Sequence, residues 1–186
     1  ISPLIIIIGI FFFNTTSADV KIKASEKITN FLNVIQEFAS EKEQLNKAKK
    51  SAELLNMVDL DFMSKVTIGK IWKTVNDNEK IIFKRRLFNK FVDFINLHLE
   101  DFKEIKFNQK SIKLRGKKLI YVNGSIDTKK IKNLNITWKL SSKENKILDI
   151  EIEKISLIKT QKLEMKKLLK ENKNNFSNFM EIYFKN

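Results

Sequence analysis

Few residues in this chain have the types and spacing to do chemistry. Asp59 and Asp61 stand two positions apart, a pattern that could join two carboxylates in acid/base work. Helix capping accounts for Asp59 as well, and solvent exposure accounts for Asp61. Asp149, Glu151 and Glu153 alternate, so in a strand their carboxylates share one face and could hold a hard cation such as Ca²⁺. The other reading is a solvated outer face, paired with lysines across neighbouring strands. His98 is the single histidine, which excludes a His pair, and its expected role is as a packed or surface residue. The count of cysteines is zero, which excludes a disulfide scaffold, a thiolate nucleophile and thiolate metal sites. There is no glycine-rich phosphate loop and no nucleophile elbow. The expectation is therefore a protein that is not an enzyme and uses neither a metal nor a cofactor.

The elements that would position these residues follow from periodicity. Apolar residues at Ile28, Phe31, Leu32, Ile35 and Phe38 have helical spacing over 22–40. A more polar helix over 41–56 carries a narrow stripe of Leu45, Ala48, Ala52 and Leu55. Asp59 reads as the N-cap of a short helix ending near Gly69. Asn76 and Glu79 form a capping-box pattern that opens the longest helix, about 77–103. Its expected inward face uses Ile81, Leu87, Phe88, Phe91, Val92, Ile95, Leu99 and Phe102, widened by Phe83 and Phe94.

The period then shortens to two. Strands are expected at 105–114, 118–127, 131–140 and 147–153, joined by short connections into an antiparallel meander. Helices over 157–171 and 175–185 follow. The expected fold is α+β: a twisted meander of about four to five strands with helices on one face and an apolar cavity between.

The formal charge of +14 favours an anionic partner. Lysines are scattered through the whole chain, with no Arg-rich recognition helix and no ribonucleoprotein-type aromatic motif, so nucleic acid is not the expected partner. Residues 3–13 are an uncharged apolar run, too short for a bilayer span and followed by small residues. Residues 1–18 therefore read as a signal peptide lacking its basic start. Cleavage is expected before Asp19, leaving a single domain over 19–186. Fifteen Phe and two Trp must also be placed, either in an ordinary dense core or around an apolar pocket.

The run VDLDFMSKVTIGKIWKTVNDNEKIIFKRRLFNKFVDFI resembles the centre of the MlaC, or toluene-tolerance, family of ABC-transporter auxiliary components. Asp59, Met63, Gly69, Trp72, Phe83 and Phe88 carry the match. A second run, ILDIEIEKISLIKTQKLEM, is similar to the family's strand-to-helix segment through Asp149, Ser156, Leu157, Thr160 and Gln161. It departs at Lys154, where a Gly is usual, at Lys162, where an Arg is usual, and at Met165, where a Phe is usual. The resemblance implies a monomeric periplasmic carrier of phospholipid. Its partners would be an outer-membrane lipoprotein–porin complex and an inner-membrane ABC transporter with an MCE-domain subunit. The expected pocket lining is Phe62, Met63, Val66, Ile71, Trp72, Phe88, Phe91, Tyr121, Ile136 and Trp138. The alternative is a nuclear-transport-factor-like α+β domain that binds a small metabolite.

Overall fold

The computed structural model describes residues 17–185. The expected signal peptide lies outside the described residues apart from Ser17 and Ala18, which open the first helix. That helix, α1, runs Ser17–Ser40, followed by α2 at Gln44–Met57, α3 at Leu60–Ile68 and a 3₁₀ turn at Gly69–Lys73. Then come α4 at Asp77–Leu97 and the single turn α5 at Leu99–Phe102. The strands are β1 Lys106–Arg115, β2 Leu119–Asp127, β3 Leu134–Ser141, β4 Ile147–Ile152 and the short β5 Ile155–Ser156. Helices α6, Leu157–Glu171, and α7, Phe176–Tyr183, close the chain. The strands form one sheet in the order β1-β2-β3-β4-β5, and each neighbouring pair is antiparallel. The architecture is the α+β meander expected from the period change.

Alternation decides which side of the sheet is dry. Ile120, Val122 and Ile126 of β2 join Ile136, Trp138 and Leu140 of β3 in one apolar cluster. The stripe of α1 packs into the same cluster through Ala24, Ile28, Phe31, Leu32, Ile35 and Phe38. The other face carries polar pairs. Thr137 Oγ1 donates to Asn123 Oδ1 at 2.9 Å, and Asn123 Nδ2 donates to Ser111 Oγ at 3.1 Å. A second cluster lies away from the sheet's apolar face, where Trp72, Phe83 and Leu87 meet Met165, Leu169, Phe176 and Phe179 of the last two helices.

Helix α4 serves both clusters, which changes its expected inward face. Ile81, Phe88 and Ile95 are spaced by seven residues and so share one side. Phe88 and Ile95 are buried there, but Ile81 is 59% exposed because the cover stops short of the first turns of α4. Phe94 is also half exposed. The expected helix over 77–103 breaks at His98 (φ −122°, ψ 29°), whose N–H donates to Ile95 O at 3.1 Å. The break folds Phe102 back against Phe94, with ring centroids 6.0 Å apart.

Gly124 of β2 lies under the Phe107 ring. A Cβ at Gly124 would come 2.4 Å from Phe107 Cε2 and 2.5 Å from the Asn108 carbonyl oxygen. The ring could swing aside, but the backbone oxygen belongs to the paired strand and has nowhere to go. Gly124→Ala should therefore cost about 1–3 kcal/mol, read as a lower thermal midpoint. An unchanged midpoint would mean that β1 does not press on β2 there.

Candidate functional site

The helical hairpin of α2 and α3 is tied to the sheet at its joint. Val58 bridges Ile147 of β4, and Asp59 N–H donates to Ile147 O at 2.9 Å. Asp59 then caps α3, its Oδ1 accepting from Phe62 N–H at 2.8 Å. Gly69 ends α3 with φ +72° and ψ −135°, backbone that only glycine adopts without strain. The 3₁₀ turn that follows lays Trp72 against Phe83, centroids 5.6 Å apart. The capping box of Asn76 and Glu79 is present and starts α4, as its residues predict.

Between α2, α3 and α4 lies a cleft of about 570 Å³. Its floor is apolar: Ala52, Leu55, Val58, Leu60 and Phe88. Val58 and Phe88 belong to the sheet-side cluster and Leu60 packs on it, so the cleft opens onto the main core. Its rim is charged, with Lys84, Arg85 and Lys146 against Asp59 and Asp61. Lys84 Nζ is 2.8 Å from Asp61 Oδ1. Inward from Phe88 a row of rings continues through Phe91, Phe31, Trp138 and Phe107, with successive centroids 6.1, 6.2, 5.7 and 6.2 Å apart.

The expected lining residues fall into four places. Met63, Phe88, Phe91, Ile136 and Trp138 are brought together in the sheet-side cluster. Ile71 and Trp72 lie in the second cluster, carried there by the 3₁₀ turn. Phe62 is 39% exposed, and Val66 is half-buried outside both clusters. Tyr121 points to the opposite face of the sheet, its ring 5.6 Å from the Arg115 guanidinium and 5.6 Å from Lys139 Nζ. In β2 both parities are apolar at one end, so alternation leaves the direction of an aromatic there open. Of the ten, Phe88 borders the cleft.

The sequence signal for the cleft lies in α2. Ala48, Ala52 and Leu55 of the α2 stripe line the cleft, while the buried residue of α2 is Leu54, one position off that stripe. Two small alanines facing α4 leave space where larger side chains would have closed the gap.

The acidic residues do structural work. Asp149 is only 7% exposed, which corrects the expectation of a solvated face. Its carboxylate accepts from Ser156 Oγ at 2.7 Å, Ile158 N–H at 3.2 Å and Lys139 Nζ at 3.0 Å. Glu151 is held by the same ammonium. Asp149 and Ser156 thus lock the start of α6 to β4. Glu153 and Lys154, with φ +48° and +68°, form the two-residue turn into β5. Both central residues of such a turn need positive φ, the condition that favours the Gly expected from the resemblance where this chain has Lys154. His98 Nδ1 lies 3.8 Å from Asp101 Oδ2 on the surface.

A family model described as MlaC protein matches residues 24–182. A solved structure described as the phospholipid-binding protein from Ralstonia solanacearum in complex with a phospholipid is similar in fold. The similarity has a TM-score of 0.67 at 10% identity, covering 87% of this chain and 95% of that one. No curated protein matches the sequence.

Proposed function

The chain belongs to the MlaC family, and on that footing we propose that it is a periplasmic phospholipid carrier without enzymatic activity. It takes lipid from one membrane complex and yields it to another: an outer-membrane lipoprotein–porin complex on one side, an inner-membrane ABC transporter with an MCE-domain subunit on the other. The observation that carries this reading is the cleft, whose apolar floor is continuous with the sheet-side cluster and whose rim is basic. The fold likeness to a lipid-bound protein supports it. A leader at residues 1–18 would deliver the chain to the periplasm, and no described helix is long and apolar enough to cross a membrane.

Physical chemistry sets what such a carrier must do. Burial is worth roughly 0.8 kcal/mol per methylene, so two chains of about 15 methylenes represent on the order of 24 kcal/mol. A lipid leaving a bilayer gives up about that much, and the carrier must return nearly all of it. The Phe88-to-Phe107 row and the sheet face beneath it are the apolar groups such a carrier would use. Because Phe31, Phe88 and Trp138 are buried against their neighbours, the helices must part from the sheet for acyl chains to enter. No covalent step is needed, and direction comes from the partners.

Protein purified from cells that make it should release glycerophospholipid on organic extraction, identified by mass spectrometry. Ile136→Trp, which adds bulk to the sheet face for about 1–3 kcal/mol of overpacking, should lower that occupancy while the fold survives. Purified protein that yields no lipid would overturn the carrier reading and favour the metabolite-binding alternative.

A further inference from the structure

We propose that the α2–α3–α4 cleft selects phospholipids whose head group carries net negative charge, through Arg85 and Lys146. This rests on the carrier reading above and names the ligand class that its mouth prefers. The groups around the cleft are Lys84, Arg85 and Lys146 against Asp59 and Asp61, a balance of one positive charge. Two of the five are committed to each other, Lys84 to Asp61 at 2.8 Å. Asp59 Oδ1 is committed to the first turn of α3 through Phe62 N–H. Arg85 and Lys146 have no ion-pair partner and no side-chain hydrogen bond among the described residues, though they border the same apolar floor.

A phosphate seated between them gains a guanidinium fork and an ammonium, the donor set that suits its oxygens. With acyl chains on the Val58–Leu60–Phe88 floor, the phosphodiester would lie at this rim. A phosphatidylglycerol-type head group, with charge −1, matches the cleft's net +1. A phosphatidylethanolamine-type head group brings an ammonium of its own, which Arg85 and Lys146 repel, an effect reduced but not cancelled by the remaining carboxylate oxygens of Asp59 and Asp61. One such contact at a wet surface amounts to about a fivefold preference.

The experiment incubates the delipidated protein with vesicles of phosphatidylglycerol or of phosphatidylethanolamine with the same acyl chains, at low and at high salt. Lipid carried by the re-isolated protein is then counted by mass spectrometry. Wild type should take up several-fold more phosphatidylglycerol, and the excess should shrink at high salt. Arg85→Gln with Lys146→Gln should erase the excess, bringing uptake of the two lipids to the same level. Lys166→Gln with Lys170→Gln removes the same charge from exposed positions of α6 and should keep the excess. Equal uptake of the two lipids by wild type would overturn the proposal. So would an excess that survives in the Arg85/Lys146 variant or vanishes in the α6 control, since the general charge of the chain would then be its source. Uptake of neither lipid would instead overturn the carrier reading itself.

Discussion

Phe83→Ala should lower stability by about 3–5 kcal/mol, the cost of emptying a fully buried aromatic site. Phe83 is 0% exposed and is the hub of the second cluster. Its ring lies 5.6 Å from Trp72, 5.7 Å from Phe176, 6.5 Å from Phe179 and 5.6 Å from Phe184. Removing it leaves the closing helix α7 without its anchor while the sheet-side cluster keeps all its members. At a chain length of this order the thermal midpoint should fall by roughly 10 °C. Ile81→Ala, two residues earlier on the same helix, should change stability by no more than about 0.5 kcal/mol, because Ile81 is exposed. Midpoints in the reverse order would mean that α4 is rotated from the orientation described above.

Asp149→Ala should cost about 3 kcal/mol, the lower end for breaking a buried ion pair, since Glu151 still holds Lys139. The substitution also strips the start of α6 of the acceptor used by Ser156 Oγ and Ile158 N–H. Asp61→Ala, which breaks the exposed pair with Lys84, is the control and should cost no more than about 1 kcal/mol. The pair also predicts a pH dependence. Burial by itself would lower the pKa of Lys139, but the hydrogen bonds its ammonium donates to Glu151 and Asp149, with the charges of those carboxylates, outweigh it and hold the pKa above its ordinary 10.5. A group whose folded pKa is raised contributes stability that is complete below the unfolded value and lost as the pH climbs through the folded one. Wild type should therefore weaken above pH 10.5, and Asp149→Ala should show a shallower alkaline fall. Denaturant midpoints taken across that range check both statements. A variant as stable as wild type would mean that α6 is held by its apolar contacts alone.

The sequence by itself determined the elements and their caps. Period 3.6 against period 2 separated helices from strands, and local chemistry placed Asp59, Asn76 and Gly69 at helix ends, because a cap depends on residues within one turn. The inward stripe of α1 was legible for the same reason: Ile28, Phe31, Leu32, Ile35 and Phe38 face one way on any helix, and the sheet together with α2 and α5 covers them. What only the tertiary structure decided was which apolar faces meet which cover. Ile81 shares its side of α4 with Phe88 yet stays wet, and Tyr121 turns to the polar face. Asp149, which periodicity places on a solvated strand face, is buried because α6 comes back over β4 and needs an acceptor for its first turn. The cleft belongs to the same class. Ala52, Phe88, Arg85 and Lys146 come from two helices and a loop far apart in sequence, and they share a site only because the bridge between Val58 and Ile147 pins the helical hairpin to the sheet. Periodicity acts over neighbours three or four apart, whereas burial and charge pairing depend on long-range contacts.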